Sequence, residues 1–344
     1  MTSHPATAAP ALPRPRGPLS AAVITALTTS ARPHPTPDRL RPHLAAPDPY
    51  GDDLQLALYV LYELHYRGFA HVDADLEWDP GLLSLRRALE TVFESALRTG
   101  TGPAQSVDEA LGGLLVEPAG HDPDSVSHHL QREGTHGQLS EYAALRSLYH
   151  LKEADPHLWA VPRLHGRAKA ALVAVEYDEF GAGRAEDVHA HLFAELMADL
   201  GLDNAYGRYL DAAPAAALAT VNLMSLFGLH RALRGALVGH FATLEVTSSP
   251  ASARLAEALR RTGAGPAAVR FYTEHVEADA VHEQVVRRDV IGQLLTDEPE
   301  LAPDITFGIQ ATLLLENRLA THLLTAWRSD HSPLRIPLSG TPPP

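Results

Sequence analysis

The sequence predicts an all-α protein, and three observations support that prediction. Apolar residues recur every three or four positions along most of the chain between residues 52 and 329. Gly, Pro and Asp/Asn clusters interrupt this pattern where helices would end. No segment alternates apolar and polar residues with the period of two that is typical of strands. Because the predicted connections are short, we expect the helices to form one bundle of antiparallel neighbours.

The first helix is predicted over residues 52–67, where leucines recur at three and four positions and Gly68 follows as a C-terminal stop. The same reasoning predicts nine more helices, near residues 80–98, 138–151, 162–180, 187–200, 213–229, 231–248, 251–262, 266–296 and 304–328. Residues 99–137 are the least regular part of the chain, and we expect either a lid or a surface excursion there.

The two ends of the chain differ from the bundle in composition. Residues 1–48 are rich in Pro, Ala and Thr and lack periodicity, so we predict a flexible arm outside the fold. Residues 49–330 are predicted to form one helical domain, because no internal linker interrupts them. Residues 331–344 contain several prolines and are predicted to be a Pro-rich tail.

Composition excludes several classes of function. The 344-residue chain has no cysteine, which excludes disulfides, iron–sulfur clusters, thiolate zinc sites and cysteine nucleophiles. A formal net charge of -14 opposes binding to nucleic acid. No apolar run is long enough to span a membrane, and residues 1–18 lack the apolar stretch of a secretory signal. We therefore expect a cytoplasmic protein with no membrane span and no nucleic-acid partner.

The predicted helix over residues 266–296 carries the strongest chemical pattern. His275, Asp279 and His282 stand at offsets of four and seven, which places them within about 60° of one another on one helix face. Such a face presents three metal ligands. The alternative is a solvated charged face, formed by Glu274, Glu277, Asp279, His282 and Glu283.

Other predicted helices add further candidates. Glu179 stands just before the breaker at residues 181–183, and His189 follows ten positions later. Glu245 lies in an apolar stretch, where a carboxylate is costly to bury unless it is paired or binds a metal; the alternative is an exposed helix end. Three carboxylates and three imidazoles suit a pair of iron or manganese ions better than zinc, calcium or magnesium, and we expect iron. This candidate set is Glu179, His189, Glu245, His275, Asp279 and His282.

A second assignment uses the two D/E-x-x-H pairs of the sequence in a ferritin-like site. Its ligands would be Glu186, His189, Asp279, His282, Glu153 and Glu245. It takes Glu186 in place of Glu179 and leaves out His275. Ferritin-like pairs normally both use Glu, whereas the later pair here uses Asp, so we prefer the first assignment. A non-catalytic helical scaffold or iron-binding protein is the remaining alternative.

The order of these residues resembles the haem-oxygenase-like di-iron oxidases and oxygenases, a family of iron-containing redox enzymes. The resemblance rests on Glu-x9-His, a later Glu and a final His-x3-Asp-x2-His, together with segments 151–157, 175–181 and 187–193. It extends from about Asp53 to Trp327. It implies a haem-oxygenase-like helical bundle that binds two iron ions and uses O2 as co-substrate.

The resemblance also implies roles for individual residues. It makes Glu179, His189, Glu245, His275, Asp279 and His282 the iron ligands. Glu153 is a further candidate, with a salt bridge to Lys152 or Arg146 as the alternative, and Glu176 rivals Glu179 as the first carboxylate. The candidates for substrate contact are Tyr177, Arg184, Lys152 and Asp155.

The implied activity is oxidation of a small amine or amino acid, by N-oxygenation or oxidative C–C cleavage, in a natural-product pathway. The expected partners are a small-molecule substrate and an external reductant, with a homodimer as the candidate assembly. Because a ligand His must be neutral, metal affinity is expected to fall below about pH 6, near the ordinary His pKa of roughly 6.5. Glu316 and His322, six positions apart, are expected to make a packing contact rather than a site.

Overall fold

The computed structural model describes residues 9–29, 47–103, 105–118 and 120–338, and within those ranges it contains no strand. Its α-helices are α1 Pro18–Thr28, α2 Asp52–Glu63, α3 Pro80–Gly100, α4 Val107–Leu114, α5 Val126–Arg132, α6 His136–His150, α7 Gly166–Glu179, α8 His189–Asp199, α9 Ala215–Leu229, α10 Arg234–Thr262, α11 Pro266–Val285, α12 Gly292–Asp297 and α13 Ala302–Arg328. Helices α4 and α5 show that residues 99–137 are more regular than the sequence predicts.

Helix α10 lies at the centre of the bundle and packs along both α11 and α13. Two glycines allow α10 and α13 to cross closely. A Cβ atom at Gly239 would clash with the carbonyl oxygen of Ile305, and one at Gly308 would clash with that of Ala236. Neither position has room for a side chain.

Two predicted helix boundaries are wrong. Residues 231–248 and 251–262 join into the single helix α10, which continues through Pro250. Proline removes one backbone donor, but buried residues on both sides of it, including Val246 and Leu255, keep the helix on the core. The predicted helix over 266–296 instead contains a π-helical turn, Val286–Ile291, between α11 and α12.

The flexible arm predicted for residues 1–48 is wrong for residues 9–29. Helix α1 buries Leu19 and Val23 in the core. The carboxylate of Asp53, on α2, accepts hydrogen bonds from the backbone N–H groups of Leu19 and Ser20 at 2.9 and 2.8 Å. These bonds satisfy donors that a helix N-terminus leaves free. The rest of the predicted arm, residues 1–8 and 30–46, lies outside the described residues, and the single domain predicted over 49–330 stays a prediction.

The described part of the tail packs back on the helices. Leu334 is buried, the backbone N–H of Arg335 donates to the carbonyl of Ala212 at 2.8 Å, and His322 bonds the carbonyl of Pro333 at 2.8 Å. Among the described helices, none is by itself long and apolar enough to cross a membrane; α9 and the segment after it meet that test only jointly, across a bend of 107°.

Candidate metal centre

Two groups of buried carboxylates and imidazoles meet at the shared residue Glu179. In each group, one N or O atom from every residue lies within 4.8 Å of the corresponding atoms of the others. The first group is Glu153, Glu179, His189 and His275, and the second group is Glu179, Glu245, Asp279 and His282. All six residues of the preferred sequence-based set are therefore brought together, with Glu153 added to them. We call these seven residues the carboxylate–histidine cluster.

A sharp reversal of the chain brings Glu179 and His189 together. Glu179 is the last residue of α7 and His189 is the first residue of α8. Gly181 has φ of 71°, and a Cβ there would lie 2.7 Å from the backbone of Asp187. The breaker predicted from the sequence thus permits a turn that a larger residue would obstruct.

The other cluster residues come from three elements around α7. His275, Asp279 and His282 share the buried face of α11, as their spacing predicts. Glu245 lies in the middle of α10, and Glu153 stands in the turns that follow α6. Five chain segments therefore contribute to the cluster, which ties its geometry to the packing of the whole bundle.

The two carboxylate oxygens of Glu179 face different groups. Its Oε2 lies 2.7 Å from Nδ1 of His189, and its Oε1 lies 3.7 Å from Nδ1 of His282. The same His282 nitrogen is 3.2 Å from Oε2 of Glu245 and 3.6 Å from Oδ1 of Asp279. A carboxylate with one oxygen towards each group has the arrangement of a bridging ligand.

Hydrogen bonds outside the cluster orient two of the imidazoles. Nδ1 of His275 lies 2.8 Å from the carbonyl oxygen of Phe271 and donates to it, so in the neutral imidazole the lone pair lies on Nε2. Nε2 of His282 lies 3.2 Å from Oδ2 of Asp178, which turns Nδ1 towards the carboxylates. Partners of this kind fix the tautomer of a metal-binding His.

The charges of the cluster shift its pKa values strongly. Burial alone would lower the pKa of His282, but hydrogen bonds to Asp279 and Glu245 raise it to about 11. Glu153 and other carboxylates raise the pKa of His275 to about 10 against the effect of burial. Burial raises the pKa of Glu245 to about 8. In the metal-free protein at neutral pH, protons therefore partly balance the charge of the carboxylates.

The donor atoms fit a cation. Within the described part of the chain, Oδ2 of Asp279 and Oε2 of Glu153 are buried without a hydrogen-bond partner, and Nδ1 of His189 and Nε2 of His275 face carboxylate oxygens of Glu179 and Glu153 at 2.7 and 3.7 Å. Leaving buried polar atoms unpaired is costly, whereas a metal ion would satisfy all of them. Four carboxylates and three imidazoles form the oxygen and nitrogen donor set that suits iron or manganese.

Glu153 makes neither salt bridge suggested by the sequence. Its Oε1 lies 3.0 Å from Nδ1 of His150 and 3.7 Å from Nε2 of His275. Lys152 instead pairs with Glu63 at 2.9 Å. His150 and His275 hold the pKa of Glu153 well below its ordinary value although burial acts to raise it. Glu153 is therefore an ionised member of the cluster.

The two rivals of Glu179 lie outside both groups. Glu186 is exposed, in the short 3-10 turn Ala185–Asp187 before α8, so the ferritin-like assignment loses one of its ligands. Glu176 is buried one turn before Glu179, and burial raises its pKa to about 9. Glu176 contributes no oxygen atom to either group of donor atoms, so Glu179 is the better candidate.

None of the four predicted substrate contacts borders the cavity beside the cluster. Tyr177 is 56% exposed and donates to the carbonyl of Ala182 at 2.7 Å. Arg184 is exposed and pairs with Asp187. Lys152 is fully buried against Glu63, and half-buried Asp155 lies near it. Contact of these four residues with a substrate stays a prediction.

That cavity has a volume of about 290 Å³ and reaches the cluster at Glu153, Glu179, Glu245, His275 and Asp279. Most of the other residues that line the cavity are not among the candidates predicted from the sequence. Tyr142, Arg146, Tyr149 and His150 line it from α6, at the three- and four-residue spacing that marks one helix face. That spacing is visible in the sequence and could have identified these residues as one face of a helix. Glu316 also lines the cavity, whereas His322 does not, so the two do not form a site together there.

The fold and the donor set together define an all-helical metalloprotein with a buried non-haem site. A family described as iron-containing redox enzymes matches residues 140–317, just over half of the chain, and the chain belongs to that family. The predictions of an all-α, haem-oxygenase-like fold and of an oxidoreductase are confirmed.

The chain is also similar to a nitrosourea synthase from Streptomyces achromogenes subsp. streptozoticus. The two are 26% identical over 161 residues, which cover 46% of this chain and 34% of that protein. The chain thus spans about a third of the length of this relative.

Removing the outer partner of His282 is expected to weaken metal binding. Asp178→Ala deletes the acceptor at 3.2 Å that orients the imidazole, and loss of such a partner typically costs about 10–100-fold in metal affinity. The measurement is a competitive chelator titration with Fe²⁺ or Mn²⁺. Glu195→Ala is the matched control, since Glu195 pairs with the exposed His191 outside the cluster. Equal affinities for both variants and the wild type would contradict the assignment.

Proposed function

We propose that this protein is an O2-dependent, non-haem di-iron oxidase or oxygenase. The observation that carries the proposal is that two groups of donor atoms share the buried carboxylate of Glu179. A single ion would need one such group, whereas two adjoining groups with a shared carboxylate are suited to two ions. Glu153, His189 and His275 would hold one iron ion, and Glu245, Asp279 and His282 the other, with Glu179 between them.

The proposed substrate is a small amine or amino acid, oxidised by N-oxygenation or oxidative C–C cleavage. The similarity to a nitrosourea synthase supports nitrogen oxidation and a natural-product pathway. A cavity of about 290 Å³ limits the substrate to a small molecule. Inserting one oxygen atom of O2 while the other becomes water consumes two electrons beyond those of the substrate, so an external reductant is part of the proposal.

When bound, ferrous iron would supply the electrons that begin the reduction of O2. The protein's own residues prepare the site for that chemistry. His150 holds Glu153 in place through a 3.0 Å contact, and Phe271 orients His275. Tyr149, Phe241 and Phe271 line the cavity next to the donor atoms and keep bulk water away from them.

The test is to load the purified protein anaerobically with ferrous iron, measure iron per chain and then add O2. We expect about two iron ions per chain, as in di-iron carboxylate proteins, and rapid O2 uptake with a change in the visible spectrum. The same protein loaded with Zn²⁺ is the control, because zinc fills N/O sites without redox chemistry. Iron uptake below one ion per chain, or iron-loaded protein that consumes no O2, would overturn the proposal.

A further inference from the structure

The cavity beside the cluster is bordered, away from the cluster, by an ion pair. Arg146 on α6 and Glu316 on α13 both line it. Nη1 and Nη2 of Arg146 donate to the two carboxylate oxygens of Glu316 at 2.9 and 2.5 Å. Arg146 lies one helical turn, about 6 Å of rise, before His150, whose Nδ1 contacts Glu153. Arg146 and His150 thus share one face of α6, and the cavity that Arg146 and Glu316 line also reaches the cluster.

The ion pair has unused hydrogen-bonding capacity. Of the five N–H donors of Arg146, two bond Glu316 and one bonds the hydroxyl of Tyr142 at 3.2 Å, which leaves two. The Glu316 carboxylate likewise has lone pairs beyond the two that Arg146 occupies. Glu316 raises the pKa of Arg146 further above its ordinary value although burial acts to lower it, so the guanidinium stays charged at working pH. Two donors and at least two acceptors remain for a ligand.

Apart from the ion pair and the cluster, the lining of the cavity is mostly apolar and aromatic. It includes Tyr149, Phe241, Leu244, Leu255, Phe271 and Tyr272. Such a wall suits a hydrocarbon or aromatic chain rather than a second charged group. A ligand that matches the cavity has one head group with both charges and a less polar extension towards the donor atoms.

We propose that Arg146 and Glu316 bind the zwitterionic head group of an α-amino acid, with its carboxylate on Arg146 and its ammonium on Glu316. The amino-acid side chain then extends towards the carboxylate–histidine cluster. Because this head-group site would be the substrate site, the inference rests on the proposed oxygenase function. It adds that oxidation takes place on the side chain and not on the α-amino group.

The test is a binding screen on the anaerobic, iron-loaded protein and, in parallel, on the metal-free protein. Each of the twenty proteinogenic L-amino acids is tested by thermal shift, and those that bind are followed by calorimetry. Each is compared with its decarboxylated amine and its Nα-acetyl derivative. We expect at least one amino acid to bind and both derivatives to bind about 10–100-fold more weakly, the loss expected when a hydrogen bond to a charged group is removed.

Matched variants separate recognition from folding. Arg146→Lys and Glu316→Gln are expected to weaken binding of that amino acid at least about tenfold, because each removes charge-assisted hydrogen bonds. The controls are Arg234→Lys and Glu298→Gln, in an ion pair of similar exposure that does not border this cavity. They should bind the amino acid as the wild type does.

The outcome is independent of the iron and O2 measurements. No binding by any of the twenty amino acids, equal binding of the decarboxylated amines, or equal loss in the Arg234 and Glu298 controls would overturn the head-group site. Iron-loaded protein that consumes O2 but gives one of these results would remove this inference and leave the proposed function in place. Failure to take up iron would instead remove the proposed function.

Discussion

Glu179→Gln is expected to lower bound iron from about two ions per chain to well below one, because the shared residue belongs to both groups of donors. Gln keeps the size of the side chain but cannot place a charged oxygen towards each group. The loss should exceed that of any substitution confined to one group. Iron per chain after anaerobic loading and desalting is the measurement, with far-UV circular dichroism to confirm that the helices remain.

Three variants test the specificity of that result. His275→Gln and Asp279→Asn each change one group, so each should retain about one iron ion. Glu186→Gln is the matched control, since Glu186 is exposed and lies outside both groups. Full iron content in Glu179→Gln would show that this residue is no ligand, and iron loss in Glu186→Gln would restore the ferritin-like assignment.

The candidate ligands could be predicted from sequence because most of them follow local rules. His275, Asp279 and His282 share a face by helical spacing, and Glu179 and His189 flank a glycine turn. The inclusion of Glu153 could not be decided in that way. Its place in the cluster depends on contact with α11, which is distant in sequence and carries His275.

The residues predicted to contact substrate do not line the cavity, and helical geometry explains this for Tyr177. Val175, Glu176 and Glu179 lie on the buried face of α7. Tyr177 is one residue, or 100°, beyond Glu176, and its side chain therefore points to solvent. The same periodicity places Arg146 and His150 on one face of α6, and both line the cavity. Residues that are close to a candidate ligand in sequence need not lie close to it in space.

The fold was predictable where packing follows local periodicity and not where it depends on distant partners. Helix α1 sits in a Pro- and Ala-rich segment that gives a weak pattern, yet Asp53 stabilises its N-terminus from another helix. Pro250 is a strong local signal for a break, but burial of residues on both sides keeps α10 continuous. In both places the tertiary contacts outweigh the local preference.

The metal-free protein is expected to lose stability as the pH rises from 7 to 9. In the folded state His275 and His282 have pKa values of about 10 and about 11, and Glu245 and Glu176 of about 8 and about 9. An unfolded His has lost its proton above about 6.5 and an unfolded Glu above about 4.3. The folded state therefore holds more protons than the unfolded state across this range, so the free energy of unfolding must fall with pH.

Each retained proton contributes a slope of up to about 1.4 kcal/mol per pH unit. For the two histidines, the stabilisation is complete below about pH 6.5 and disappears as the pH rises through their pKa values in the folded state. The measurement is the urea midpoint of metal-free protein at pH 7, 8 and 9. His282→Gln removes one of the retained protons and should flatten the slope, whereas His191→Gln, which changes an exposed imidazole, should not.

Metal ions should replace these protons. Iron loading at pH 7 is expected to release about three protons per chain, from His275, His282 and Glu245, because ligand imidazoles must be neutral and ligand carboxylates ionised. Metal affinity should therefore keep rising with pH well above 7. The ordinary His pKa would instead predict that metal affinity falls only below about pH 6. Metal-loaded protein should in turn show a shallower fall in stability from pH 7 to 9, since Glu176, which lies outside both groups, still keeps its proton. A metal-free protein whose stability rises over that range would mean that the cluster is not held together by protonated imidazoles.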